Sequence, residues 1–204
     1  MKKGLRILIT GPMFSGKSAE LFRRLKKHAQ VGNTVWLISH IIDDRYTKKQ
    51  MASSHDGETM LCSKVNSLEQ DPRDIPEDVS VIGIDECQFF DGLASFCNRW
   101  TEKGVTIIAA GLHTTFEGKM WPNVVELLPQ LDDIVYCHAI CIICGSEMAS
   151  RSKAIQKMPE NGVLVGADES YTATCSTCFD KDVTKDHLQK RANNVKTIKK
   201  LFNI

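Results

Sequence analysis

The stretch Gly11-Pro-Met-Phe-Ser-Gly16-Lys17-Ser18 restricts the fold of this chain more than any other. It fits the pattern GxxxxGK[ST], which works where a strand hands over to a helix. The glycines let the backbone bend until successive N–H groups face phosphate oxygens, and the positive end of the following helix adds its attraction. The flanks agree. Leu5–Thr10 is a short apolar run stopped by glycine, the signature of a buried strand. Ser18–Gln30 carries Leu21, Phe22 and Leu25 at helical spacing with basic residues between them, and Gly32 follows as a stop. In this setting Gly11, Ser15 and Gly16 shape a phosphate loop, Lys17 reaches nucleotide phosphates and Ser18 ligates Mg²⁺.

The alternation continues. Thr34–Ser39, Val79–Ile84 and Val105–Leu112 read as strands, Leu93–Lys103 and Val124–Leu131 as helices, and Asp133–Tyr136 leads into a fifth strand. This order predicts an α/β fold, a RecA-like P-loop parallel sheet flanked by helices, with near-continuous apolar strands buried on both faces. Residues 40–66 lack periodicity and are expected to form one long loop. Asp85 ends the third strand, where an acid can serve the Mg²⁺ shell of such a loop. Glu86 follows it. Adjacent residues at a strand end point differently, so the second carboxylate is available to take a proton from an attacking hydroxyl or water. A solvated loop acid is the plainer reading of Glu86.

The texture changes after Cys137. Cys141-Ile-Ile-Cys144 and Cys175-Ser-Thr-Cys178 form two CxxC pairs. Two such knuckles close a four-sulfur tetrahedral site, the pattern of structural zinc with no open position. Buried free thiols and redox use of one pair are the alternatives, and Cys137 is a less well spaced substitute ligand. Cys62, Cys87 and Cys97 read as core residues. The expected organisation is an ATP-binding domain over 1–137, a zinc-binding module over 138–180 and a basic tail over 181–204. The formal net charge is +1, so no global field favours nucleic acid or a membrane. The charge is uneven, however: 181–204 holds seven Lys/Arg against two Asp. No apolar run approaches the roughly 20 residues of a membrane span. The start lacks the features of a secretory signal, which makes a reducing, cytoplasmic setting the expectation.

Taken in order, GPMFSGKS, DDRY (43–46), SHDGET (54–59), IDECQFF (84–90), GLHTTFEGKMW (111–121), the first CxxC and VGADESYTATCSTC (165–178) resemble the zinc-containing thymidine kinase family of cytosol, bacteria and large DNA viruses. The resemblance spans residues 4–180. It implies transfer of the ATP γ-phosphoryl to the 5′-hydroxyl of thymidine or deoxyuridine, and a lasso-like loop on the zinc module that closes over the nucleoside. Homotetramers and feedback inhibition by dTTP are typical of the family. The resemblance makes Glu86 the general base and Asp85 the Mg²⁺-side acid. It sets Phe89 and Tyr171 on opposite faces of the base, with Met13, Leu112 and Phe116 as walls and Trp121 standing where Phe is usual. Gln88, Asp56, and the backbone of Val163–Gly166 join the acceptor site. Phe90 is expected in the core, because consecutive residues do not easily face one ligand.

Three positions depart from the family pattern. His113-Thr114-Thr115 follows Leu112 where an Asp is usual, Ser152 stands nearest to a usual Thr, and Met120 replaces a common Pro. A nucleic-acid-dependent ATPase is the competing reading. It rests on the Asp85-Glu86-Cys87-Gln88 box, the zinc module and the basic tail, but 204 residues hold one ATPase lobe where a translocating helicase normally needs two. A non-catalytic nucleotide-binding scaffold is a third.

Overall fold

The computed structural model describes residues 3–42, 51–53, 58–155 and 170–202. β1 (Arg6–Thr10) runs into the glycine loop and α1 (Lys17–Gln30) leaves it. β2 (Val35–His40) is followed by three short strands, β3 (Met51–Ser53), β4 (Thr59–Leu61) and β5 (Ser63–Val65). Then come β6 (Val81–Asp85), α2 (Leu93–Glu102), β7 (Thr106–Gly111), α3 (Pro122–Leu127) and β8 (Asp133–Tyr136). β9 (Arg151–Ala154) and β10 (Tyr171–Thr174) pair antiparallel as a separate hairpin, and α4 (Lys185–Phe202) closes the order.

β5, β2, β6, β7, β1 and β8 form one sheet in that order, every neighbouring pair parallel. Parallel pairing brings all carboxyl ends to one edge, where ligands of open α/β sheets bind. The register makes this concrete. Thr10 lies beside Gly111 on one side and Tyr136 on the other, and Asp85 lies beside Ser39.

Each face of the sheet is covered. Leu21, Phe22 and Leu25 of α1 pack on Ile9, Leu37, Val81 and Ile108. Phe96, Cys97 and Trp100 of α2 and Val124 and Leu127 of α3 pack on the other face with Leu8, Ile82 and Ile107. A methyl group on Gly83 would sit 2.6 Å from a Leu25 methyl, so glycine in β6 lets α1 lie close to the sheet. Phe22 is fully buried, and truncation to alanine there costs about 3–5 kcal/mol. Phe90, Cys62, Cys87 and Cys97 are buried, as expected.

Two expectations needed correction. Residues 40–66 are not one loop: β3 and β4 form a hairpin, and β5 adds a sixth strand to the sheet. Three-residue strands carry no apolar run of their own. Pairing with β2 holds β5, helped by the Trp36 indole donating to Ser63 Oγ at 2.7 Å. The helix expected over Val124–Leu131 starts at Pro122 and gives way to a 3-10 turn over Leu128–Gln130. Pro122 suits a first helical turn, whereas Pro129 has no N–H to continue the ladder. Among the described residues no helix is long and apolar enough to cross a membrane.

Candidate active site

A glycine loop carries the chain from β1 into α1. Gly16 caps α1 with φ 78° and ψ 20°, and the first bond of the helix runs from Glu20 N–H to Gly16 O at 2.9 Å. The N–H groups of the first turn have no acceptor inside a helix and face outward along its axis. Gly11 has φ 151° and lies against the Cys137 carbonyl, where a Cβ would collide. Ser15 Oγ and Lys17 Nζ donate to the Pro12 carbonyl at 2.9 and 2.7 Å, holding the loop closed around its own backbone. These features fit a bound polyphosphate.

Next to the loop stands the end of β6. Asp85 is 3% exposed, and its Oδ1 accepts from Ser18 Oγ at 3.0 Å and from the Glu86 N–H at 3.0 Å. The Ser18 and Asp85 oxygens could supply part of the shell of a Mg²⁺ beside bound phosphates. Glu86 adopts φ 53° and ψ 41°, the left-handed region. Among the described residues it shares a positive φ only with Phe14 of the phosphate loop and with glycines. Such a conformation costs about 1–3 kcal/mol and persists where its surroundings enforce it. Here Gln88 does so: its Nε2 donates to Glu86 Oε2 at 2.7 Å, while its Oε1 accepts from the Leu112 N–H at 3.0 Å. Gln88 is 1% exposed, so Glu86 is tied through a buried amide to the end of β7.

The expected acceptor residues form two aromatic pairs. Phe89 and Trp121 meet edge to face with centroids 5.4 Å apart, and Phe116 and Tyr171 lie 6.4 Å apart. Leu112 joins the first group through Gln88. The Trp121 indole N–H is buried without an acceptor among the described residues. The hairpin meets the phosphate loop directly: the Met13 N–H donates to Ser152 Oγ at 2.9 Å. The hairpin thus sets Ser152 against Met13 of the loop, and its register places Ala173 opposite Ser152 and Tyr171 opposite Ala154. Asp56, Val163 and Gly166 lie outside the described residues.

The sulfurs of Cys141, Cys144, Cys175 and Cys178 lie within 4.8 Å of one another, and Cys144 and Cys175 are 3.7 Å apart. A tetrahedral zinc with bonds of about 2.3 Å separates its sulfurs by about 3.8 Å, so the four residues fit that ion. Gly145 (φ 75°) turns the first knuckle, and its N–H bonds the Cys141 carbonyl at 2.9 Å. Burial raises the Cys141 thiol, but N–H groups of Cys144, Cys175 and Ile143 outweigh it and bring it down to about 6, toward the thiolate a metal takes. Cys137 is outside the cluster, and burial pushes its thiol up. Phe14 of the phosphate loop packs on the knuckles, and the Arg191 guanidinium of α4 lies 4.3 Å over its ring.

Three residues at this edge escaped the sequence reading: Thr10, His40 and Tyr136. Each is the last residue of a parallel strand, and that position was the available signal. His40 rings with Phe89 and Phe90 at 5.7 and 4.9 Å, and burial lowers its pKa. Its Nδ1 accepts from the Ile42 N–H and its Nε2 faces the Asn66 carbonyl, which a single neutral tautomer satisfies. Thr10 and Tyr136 flank His113, with Thr10 Oγ1 at 3.3 Å from Nδ1 and the Tyr136 hydroxyl at 3.2 Å from Nε2.

A family model described as "Thymidine kinase" matches residues 4–179. A thymidine kinase of Myxoma virus (strain Uriarra) is 36% identical over 172 residues, covering 84% of this chain and 94% of the relative. One from Thermococcus kodakarensis is 36% identical over 183 residues, covering 84% and 92%. A protein of Bos taurus named "Thymidine kinase, cytosolic" is 36% identical over 177 residues, covering 85% and 71%.

Proposed function

The chain belongs to the thymidine kinase family, and from that premise we propose that it transfers the γ-phosphoryl of ATP to the 5′-hydroxyl of thymidine or deoxyuridine. The observation that carries the residue assignment is the strained Glu86, held by Gln88 one residue beyond an aspartate already bonded to Ser18. That arrangement sets a proton acceptor beside a phosphate grip.

In the reaction the Glu86 carboxylate takes the 5′-hydroxyl proton as the hydroxyl oxygen bonds to the γ-phosphorus. The bond from that phosphorus to the β,γ-bridging oxygen breaks, ADP leaves in line, and the proton ends on Glu86. The phosphate loop and Lys17 align the donor. Ser18 and Asp85 are the residues that would hold Mg²⁺, which supplies charge neutralisation on the phosphates. Phe89 and Tyr171 clasp the base, while Met13, Leu112, Phe116, Trp121 and Ser152 shape the acceptor pocket and Gln88 orients the base catalyst. The family resemblance also assigns Asp56 and the backbone of Val163–Gly166 to the acceptor site. Most of the rate enhancement comes from positioning two bound substrates.

Cys141, Cys144, Cys175 and Cys178 would hold one structural zinc per chain. The proposed organisation remains an ATP-binding domain over 1–137, a zinc-bearing lasso module over 138–180 and a basic tail. A cytoplasmic homotetramer serving pyrimidine salvage for DNA synthesis, restrained by dTTP, completes the reading that the family resemblance supports. The competing ATPase reading draws nothing from the relatives. Incubation of the protein with MgATP and a panel of nucleosides, with products read by mass, tests the activity. Thymidine or deoxyuridine monophosphate is the expected product. ATP hydrolysis stimulated by single-stranded DNA, with no nucleotide product, would overturn it.

A further inference from the structure

His113 occupies a junction that the proposed chemistry does not use. Its ring lies between Thr10, the residue before the phosphate loop, and Tyr136, the last residue of β8. Thr10 Oγ1 donates onward to the Gly111 carbonyl at 3.0 Å. The Tyr136 hydroxyl donates onward to the Ser150 carbonyl at 3.1 Å, one residue before β9. The chain of contacts thus runs Gly111, Thr10, His113, Tyr136, Ser150. One end is fixed in the sheet and the other in the segment that carries Ser152, and through β10 Tyr171.

We infer that His113 is a positioning residue, coupling the phosphate loop to the hairpin that carries acceptor-pocket residues. This rests on the functional reading above for what the hairpin does, but the coupling itself rests on hydrogen bonds.

Counting hydrogens shows how it acts. Four contacts need four hydrogens: Thr10 to Gly111, Thr10 with His113, His113 with Tyr136, and Tyr136 to Ser150. A neutral imidazole supplies one, and the two hydroxyls supply one each. With three hydrogens one of the four contacts must lapse, and the chain is broken there. An imidazolium donates from both nitrogens and lets both hydroxyls donate outward, so all four contacts close.

The groups facing the ring decide which form prevails. Lys17 approaches from α1, Arg151 from β9 and the Tyr136 hydroxyl from β8, with the His138 ring tilted against Tyr136 at 4.8 Å. Burial foremost, then Lys17 and Arg151, lower the His113 pKa from its ordinary 6.5. The ring is therefore neutral at neutral pH and the chain is one hydrogen short. A polyphosphate bound at Lys17 cancels part of that repulsion and favours the imidazolium. Occupancy of the donor loop then tightens the link to the acceptor hairpin, and by linkage ATP binds with proton uptake. The closed form is fully present below the folded pKa and is lost as pH rises through it.

The test follows the His113 imidazole signal by NMR through a pH titration, with and without MgATP and with no nucleoside present. Loss of the signal in His113→Asn identifies it among the six histidines. An upward move of the titration on adding MgATP is expected, and a titration that stays in place or moves down overturns the coupling. A second arm is kinetic. Tyr136→Phe removes the hydroxyl that reaches the hairpin but keeps the ring. It should raise the KM for thymidine at saturating MgATP about two- to tenfold, the ordinary worth of one hydrogen bond, with the Kd for MgATP measured without nucleoside within about twofold of wild type. An unchanged KM for thymidine, or an equal rise in that Kd, overturns the positioning role. Wild-type protein that phosphorylates no nucleoside would sink the functional reading, while the titration would still decide the coupling.

Discussion

Replacing Gln88 with methionine removes both hydrogen bonds of its side-chain amide, one to Glu86 and one to the β7 end, while nearly conserving volume. Gln88 is 1% exposed, so no water replaces its amide at the β7 end. The Leu112 N–H, now 3.0 Å from Gln88 Oε1, loses that acceptor. An unsatisfied buried donor costs about 1–3 kcal/mol. Glu86 is half-buried and regains water, so its share of the stability loss is small. For a chain of this size each kcal/mol is worth about 2–4 °C, which puts the expected fall in Tm at about 2–12 °C. The kinetic effect is separate. A positioned general base contributes about 10²- to 10⁴-fold. A Glu86 freed from the 2.7 Å bond to Gln88 keeps its carboxylate but loses its aim. Part of that factor should go: kcat is expected to fall about ten- to a hundredfold, with the KM for ATP unchanged. Thermal unfolding and steady-state thymidine phosphorylation on one preparation measure both. A fallen Tm with kcat within about twofold of wild type would refute the orienting role of Gln88. No change in either would mean that the two bonds carry nothing.

Three further outcomes follow from the same geometry. Glu86→Gln should retain ATP binding by calorimetry and lose at least about a hundredfold in kcat; near-normal turnover would remove Glu86 from the base role. Wild-type protein should carry about one zinc per chain by elemental analysis and Cys144→Ser markedly less; a metal-free, fully folded wild type contradicts the four-sulfur site. Glu20 is held down at about 2, against its ordinary 4.5, chiefly by the Arg23 hydrogen bond and further by Arg24, with burial opposing. Folding therefore favours its ionised form, and its contribution is complete above pH 4.5 and lost as pH falls through about 2. Urea unfolding of wild type and Glu20→Gln should show a stability gap that closes over that window, and a gap constant with pH would be the contrary result.

Local signals carried much of the fold. The glycine loop with its apolar strand and periodic helix locates β1 and α1 within a residue, because the burial pattern lies in adjacent positions. The same holds for Phe90 in the core. β5 was not legible, since three residues without an apolar run become a strand only by pairing with β2, 25 residues away in the Ile38–Ser63 register. The cysteine spacing carried its cluster. The Thr10–His113–Tyr136 chain was beyond reach for a different reason. It depends on the parallel register that sets Thr10 beside Gly111 and Tyr136, and no neighbour in sequence encodes that. His113 stood out only as a departure from a familial Asp. Its partners needed the sheet.

The left-handed Glu86 has a consequence for anyone who would make this protein sturdier. Glycine at that position would relieve the backbone strain of about 1–3 kcal/mol, offset by about 0.5–1 kcal/mol of extra freedom in the unfolded chain. A screen for heat tolerance alone would tend to reward Glu86→Gly. The gain would come at the residue assigned the proton transfer. Selection for turnover and selection for durability pull this position in opposite directions, and the glutamate marks which of them has prevailed.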